Sequence, residues 1–257
     1  MERVKTGIEG LDQMLHGGLL PQSANLLEGA PGTGKSTLGM QFIYNGIAKY
    51  DEPGLIVTFE EFPQQYYRDA ANFGWDFREL ERQNKLRVIM SSPEVTRQDL
   101  EVVGGSIETA ALEMGAKRIL VDSISHFRRL TSDPLELREL EYGFINAIKR
   151  EGLTSILTRE SAALFGDTKE PDDFIAFTVD AYFLLRYVEI ESAVRKALLV
   201  LKLRGSDHAK DIRQFEITSS GIEVKAKFEG QEGIMSGSPH QMSDAFVKAF
   251  VENRSKR

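Results

Sequence analysis

Apolar positions fall into short runs of strand length separated by longer segments with helical spacing. Ser23-Ala24-Asn25-Leu26-Leu27-Glu28 reads as a buried strand, and Thr37-Leu38-Gly39-Met40-Gln41-Phe42-Ile43 carries the apolar period of a helix. Gly54 to Phe59 is the next strand, entered through the turn Asp51-Glu52-Pro53, and a helix starts near Pro63. Leu86 to Met90 follows as a strand, Gln98 to Met114 as a helix despite Gly104-Gly105, and Lys117 to Ser123 as another strand. Pro134 to Arg150 reads as a long helix with proline in its first turn, and Leu153 to Thr158 as a strand. This alternation predicts an α/β fold, a mostly parallel sheet flanked by helices on both faces.

From Val179 the rhythm changes to strands without helices. Residues 179–190, 195–203, 214–218 and 222–225 are expected as antiparallel strands at the C-terminal side, with Glu191-Ser192 in a hairpin turn. The expected organisation is one domain over residues 1–228 and a tail over 229–257. The tail reads as a Gly-rich loop and a small amphipathic helix, Met242 to Asn253, with Met242, Ala245, Phe246 and Phe250 on one face, suited either to docking on its own protein or to a protein partner.

Between the first strand and helix stands Gly29-Ala30-Pro31-Gly32-Thr33-Gly34-Lys35-Ser36, a complete G-x-x-x-x-G-K-[ST] loop in the strand-loop-helix setting it requires. Glycines at 29, 32 and 34 let successive N–H groups converge on phosphate oxygens, and Lys35 neutralises the β- and γ-phosphates. The Ser36 hydroxyl is placed to ligate Mg²⁺ at the start of the helix, with Thr37 beside it in the nucleotide-binding set. The cofactors expected are ATP and Mg²⁺.

In an open α/β sheet the site lies beyond the carboxyl ends of the strands, where two acidic positions stand. Asp122 follows Ile119-Leu120-Val121, the pattern of an aspartate that holds Mg²⁺ directly or through water. Glu60-Glu61 end the second strand, and one of them, set on a water, can accept its proton during attack on the γ-phosphorus; which one is left open. Lys202 and Arg204 stand two apart near a strand end, so both project from one face as cations suited to a triphosphate.

Composition narrows the function classes. The 257 residues carry a net charge of -7, with 41% hydrophobic and 28% charged residues. That acidity argues against gripping a phosphate backbone, and Arg128-Arg129 and Arg254-Ser255-Lys256-Arg257 are small basic groups of the kind found on solvated faces. Absence of cysteine removes disulfides, thiolate zinc sites and thiol nucleophiles, and the four histidines, His16, His126, His208 and His240, are too dispersed for a local metal pair. Met1-Glu2-Arg3-Val4-Lys5 lacks a signal-peptide core, and the apolar run Ala181 to Leu185 is cut by Arg186, so a cytoplasmic protein without a membrane span is expected.

These motifs together resemble the KaiC-like ATPases of the RecA superfamily. The resemblance runs from Thr6-Gly7-Ile8-Glu9-Gly10-Leu11-Asp12 through the phosphate loop, Phe59-Glu60-Glu61 and Leu120-Val121-Asp122-Ser123 to Lys202-Leu203-Arg204-Gly205-Ser206. It is nearest to the second of the two tandem domains of KaiC, shared at Phe73-Gly74-Trp75-Asp76-Phe77, Tyr187-Val188-Glu189-Ile190, Ile212-Arg213-Gln214-Phe215 and Ser236-Gly237-Ser238-Pro239. The resemblance implies a RecA-like P-loop core and a homo-hexameric ring with ATP between subunits. It also implies that Lys202 and Arg204 act on the neighbour's γ-phosphate, with His208 near the same interface. Alignment back from Tyr187 puts Ala176-Phe177 where the family's second domain has a phosphorylated Ser-Thr pair, so neither side chain here offers a hydroxyl. The leading expectation is therefore a slow ring ATPase acting as a nucleotide-regulated switch. A self-kinase using another site such as Thr178, and a RecA-like nucleic-acid-dependent ATPase, are the alternatives.

Overall fold

The computed structural model describes residues 2–101, 104–161, 174–228, 231–232 and 240–241. Helix α1 (Glu9–Met14) precedes β1 (Ala24–Gly29), α2 (Lys35–Tyr50), β2 (Gly54–Thr58), α3 (Pro63–Ala71), α4 (Phe77–Arg82) and β3 (Leu86–Met90). Then come α5 (Pro93–Glu101), α6 (Ser106–Met114), β4 (Arg118–Asp122), α7 (Pro134–Arg150), β5 (Thr154–Glu160) and α8 (Phe174–Thr178). Strands β6 (Ala181–Ile190), β7 (Ala193–Leu203), β8 (Arg213–Thr218) and β9 (Gly221–Lys227) follow, and the small strands β10 (Gln231–Glu232) and β11 (His240–Gln241) pair with each other.

Nine strands form one sheet in the order β3-β2-β4-β5-β1-β6-β7-β8-β9. The six from β3 to β6 run parallel and the last three alternate. The parallel strands are apolar at successive positions because both faces are covered. On β1, Leu27 packs into the core that holds Phe42 and Ile43 of α2, while Leu26 packs into the core that holds Phe144 and Ile145 of α7. Full burial of each phenylalanine contributes about 2–3 kcal/mol. Helix α2 lies close on the sheet because Gly39 has no side chain: a Cβ there would come within 2.4 Å of Leu120.

The structure bears out the α/β fold and corrects three details. The helix expected over 98–114 is two helices, since Gly104 at φ 85° cannot continue a right-handed helix and the Ser106 N–H is instead capped by Asp99 Oδ2 at 3.2 Å. Strand β6 pairs with β1 in parallel, so the antiparallel part begins at β7, after Glu191 and Ser192 turn the chain with φ of 52° and 60°. Helices α1, α4 and α8 and a 3₁₀ turn over Ile124–Arg129 are too short to show a period in sequence. The expected helix over 242–253 lies outside the described residues. No helix among the described residues is long and apolar enough to cross a membrane.

Candidate nucleotide site

The carboxyl ends of the parallel strands meet along one sheet edge. Gly29 is in register with Glu160 of β5, and Thr58 with Asp122 of β4. The phosphate loop leaves this edge from β1 and enters α2 at Lys35, turning through Gly32 at φ 76° and Gly34 at φ 107°. Lys35 Nζ folds back to donate to the carbonyls of Gly29 at 3.0 Å and Ala30 at 3.1 Å. Burial holds its pKa below the ordinary lysine value, while Asp122, Glu160 and Glu28 oppose that shift. Thr33 tightens the turn by donating its hydroxyl to the Ala30 carbonyl at 2.7 Å. Ser36 and Thr37 are half-buried in the first turn of α2, where free N–H groups and the helix dipole favour an anion.

Two hydroxyl donors hold the Asp122 carboxylate. The Tyr66 hydroxyl donates to its Oδ2 at 2.8 Å and the Thr158 hydroxyl to its Oδ1. Burial, with Asp122 next, pushes the Tyr66 phenol far above its ordinary range, so it remains a donor. Both glutamates follow β2 in a bend fixed by the Thr58 hydroxyl, which accepts from the N–H of Glu61 at 3.2 Å and donates to its carbonyl at 3.1 Å. Their carboxylates differ. Glu60 Oε2 lies 3.4 Å from His126 Nε2, whereas burial, then Asp122, Asp69 and Glu60, raises the Glu61 carboxyl above the usual range.

Lys202 and Arg204 are not brought to this edge. Lys202 is opposite Tyr182, itself opposite Leu26, so its Cα is ~14 Å from Gly29, counting ~3.3 Å per residue and ~4.8 Å per strand. Lys202 Nζ donates to the carbonyls of Ala176 at 2.9 Å, Phe177 at 3.3 Å and Val179 at 2.7 Å, and Arg204 Nη2 to Phe177 at 2.7 Å. They thus close the C-terminal end of α8, whose Phe177 is 74% exposed. Thr178 donates its hydroxyl to the Phe174 carbonyl at 3.3 Å. His208 lies beside Lys210, with Nδ1 at 3.3 Å from Nζ.

Several residues that support the loop were not expected in that role. Tyr187 donates to the Pro31 carbonyl at 3.3 Å and Lys196 to the Gly32 carbonyl at 3.0 Å; they are cross-strand neighbours on β6 and β7. Beneath the loop, the buried Glu28 accepts from the buried Arg159 Nε at 2.9 Å and Arg186 Nη2 at 3.2 Å, and from the half-buried Tyr182 hydroxyl at 2.6 Å. Removing one partner of such a buried set costs about 3–5 kcal/mol. A separate cleft of about 720 Å³ lies between α1, α2 and β9, lined by Gln41, Trp75 and Ile222 among others and by none of residues 29–36.

Comparison with known proteins agrees with this geometry. Residues 4–229 match the family model described as "ATPase: KaiC". The chain is 34% identical over 246 residues to the circadian clock protein KaiC3 of Synechocystis sp., covering 96% of this chain and 48% of that protein. It is 36% identical over 233 residues to the circadian clock oscillator protein KaiC of Synechococcus elongatus, covering 86% and 44%. Against the UPF0273 protein MJ1359 of Methanocaldococcus jannaschii it is 33% identical over 241 residues, covering 87% of this chain and 96% of that protein. It therefore spans about half the length of the KaiC relatives and nearly all of the archaeal one. With a nucleotide-binding loop on a RecA-like sheet and a match that runs through almost every element of it, the chain belongs to the KaiC ATPase family.

Proposed function

We propose that this protein binds ATP with Mg²⁺ at residues 29–36 and hydrolyses it slowly in a homo-hexameric ring, using the nucleotide state as a conformational switch. The observation that carries the reading is the register of β1, β2, β4 and β5, which gathers Lys35, Asp122 and the Glu60-Glu61 pair at one sheet edge. Loop N–H groups and Lys35 would bind the β- and γ-phosphates, the ammonium leaving the Gly29 and Ala30 carbonyls to do so. The Ser36 hydroxyl and Asp122 would hold Mg²⁺, which neutralises phosphate charge when bound. The fit is sound in kind: both donors are hard oxygens, and Mg²⁺ takes one or two protein ligands beside phosphate oxygens and water. Among the described residues no group of three or more His, Cys, Asp and Glu forms an all-protein metal cage.

In the hydrolytic step a water oxygen bonds to the γ-phosphorus, its proton passes to a glutamate of the pair, and the bond to ADP breaks. Placement of Lys202 and Arg204 away from their own loop supports completion of the site by a second copy. Phosphate release by the full chain with ATP and Mg²⁺ tests the reading against Lys35→Met and the double variant Glu60→Gln/Glu61→Gln. Both should lose the activity, and Lys35→Met should also lose the rise in Tm on adding ATP. Because burial disfavours the Lys35 charge, Lys35→Met without nucleotide should melt no lower than the parent. Equal phosphate release by all three proteins would refute hydrolysis at this loop.

A further inference from the structure

The loop glutamates are held differently, and the difference traces to a histidine that the nucleotide reading does not use. His126 sits in the 3₁₀ turn over Ile124–Arg129 that begins just beyond Asp122. Its ring is almost buried, set edge-on to Phe59 with centroids 6.2 Å apart, while the Glu60 side chain is 65% exposed. The turn is anchored in its own right: Ser123 Oγ accepts from the Ser125 N–H at 3.1 Å, and Phe127 packs on Phe59 and Phe144. Of the two partners, the imidazole is the fixed one. Phe59 N–H also donates to the Asp122 carbonyl at 3.2 Å, so the segments bearing the histidine and the glutamate leave adjacent strands tied at their ends.

We propose that His126 is a positioning residue that fixes Glu60, rather than Glu61, as the acceptor of the attacking water's proton. This rests on the hydrolytic reading above. His126 Nε2 lies within ion-pairing distance of Glu60 Oε2, at 3.4 Å, which leaves Oε1 as the acceptor for a water. A general base must stand within hydrogen-bond reach of the proton it takes, and a support held by packing keeps it there. The Glu61 carboxylate has no hydrogen bond or ion pair among the described residues. It also faces repulsion from Asp122, opposed only by the exposed Arg68, itself paired with Asp69.

His126→Phe keeps the ring volume against Phe59 and removes the donor, and His126→Gln restores a donor of similar reach. The phenylalanine variant should lose about tenfold in kcat with KM for ATP within about twofold, since mispositioning acts on the chemical step. The glutamine variant should recover most of that loss, and a fluorescent ATP analogue with Mg²⁺ should bind both variants as it binds the parent. In a Glu60→Gln background, His126→Phe should cost nothing further. Unchanged kcat in His126→Phe, an equal additional loss in the Glu60→Gln background, or a loss confined to KM would each overturn the proposal. Should the phenylalanine variant not fold, Glu60→Asp and Glu61→Asp decide: a fall in kcat for the first alone supports it, and equal effects overturn it. Parent and Lys35→Met releasing phosphate at one rate would instead remove the hydrolytic reading itself.

Discussion

Lys202 and Arg204 give the sharpest test of the ring. In this structure their side chains close the carbonyl end of α8 in their own chain, and Lys202 Cα is ~14 Å from Gly29 by strand register. A fully extended lysine or arginine reaches roughly 6–7 Å from its Cα, about half of that distance. If these cations serve a γ-phosphate, it is a neighbour's. A chain lacking the loop cation, Lys35→Met, and a chain lacking the finger, Arg204→Ala, should then each be inactive alone. The second should lose on the order of 10³ in kcat if its guanidinium works as an arginine finger. Mixed in equal amounts and allowed to exchange, the two place an intact loop beside an intact finger at about a quarter of the head-to-tail interfaces. Phosphate release should recover to about a quarter of the parent rate as subunits exchange. A mixture as inactive as its components, with exchange shown by a label, would refute action across an interface. An Arg204→Ala protein that hydrolyses at the parent rate would refute the finger altogether.

Two other substitutions test the local physics. Tyr66→Phe removes a 2.8 Å hydrogen bond to the Asp122 carboxylate in a buried setting and should cost about 2 kcal/mol by denaturant unfolding without nucleotide; parental stability would show that Asp122 does not depend on it. Glu61→Gln carries a defined pH signature. Its carboxyl pKa is raised in the fold, so the protonated form is favoured there, and the charged form is a cost that appears as pH rises through the folded value. The variant should therefore melt above the parent at pH 8, with the difference vanishing near pH 4, and the opposite trend would show that the burial and charges around Glu61 are misread.

Legibility from sequence followed the range of the interaction. The phosphate loop could be read because its conformation depends on a few adjacent residues: glycine at 32 and 34 where φ is positive, and a lysine at the first helical position. Strands β2 and β4 could be read because burial on both faces leaves an apolar run in each, and α7 because the helix carries its own period. The break at Gly104 was missed because apolar spacing continues across it while the backbone does not. Tyr66 and Thr158 were missed as supports of Asp122 because each comes from another element, 56 and 36 residues away.

By itself, then, the sequence determined the α/β class, the phosphate loop and the identity of the groups able to handle a triphosphate, since these reside in local backbone preference and side-chain chemistry. Only the tertiary structure decided which of those groups meet. The strand order β2-β4-β5-β1 sets Asp122, the glutamate pair and Lys35 along one edge, and the reversal of direction from β6 to β7 carries Lys202 and Arg204 away from it. The physical reason is that register and strand order are fixed by burying both sheet faces at once, a property of the whole packed core that no short stretch of residues contains.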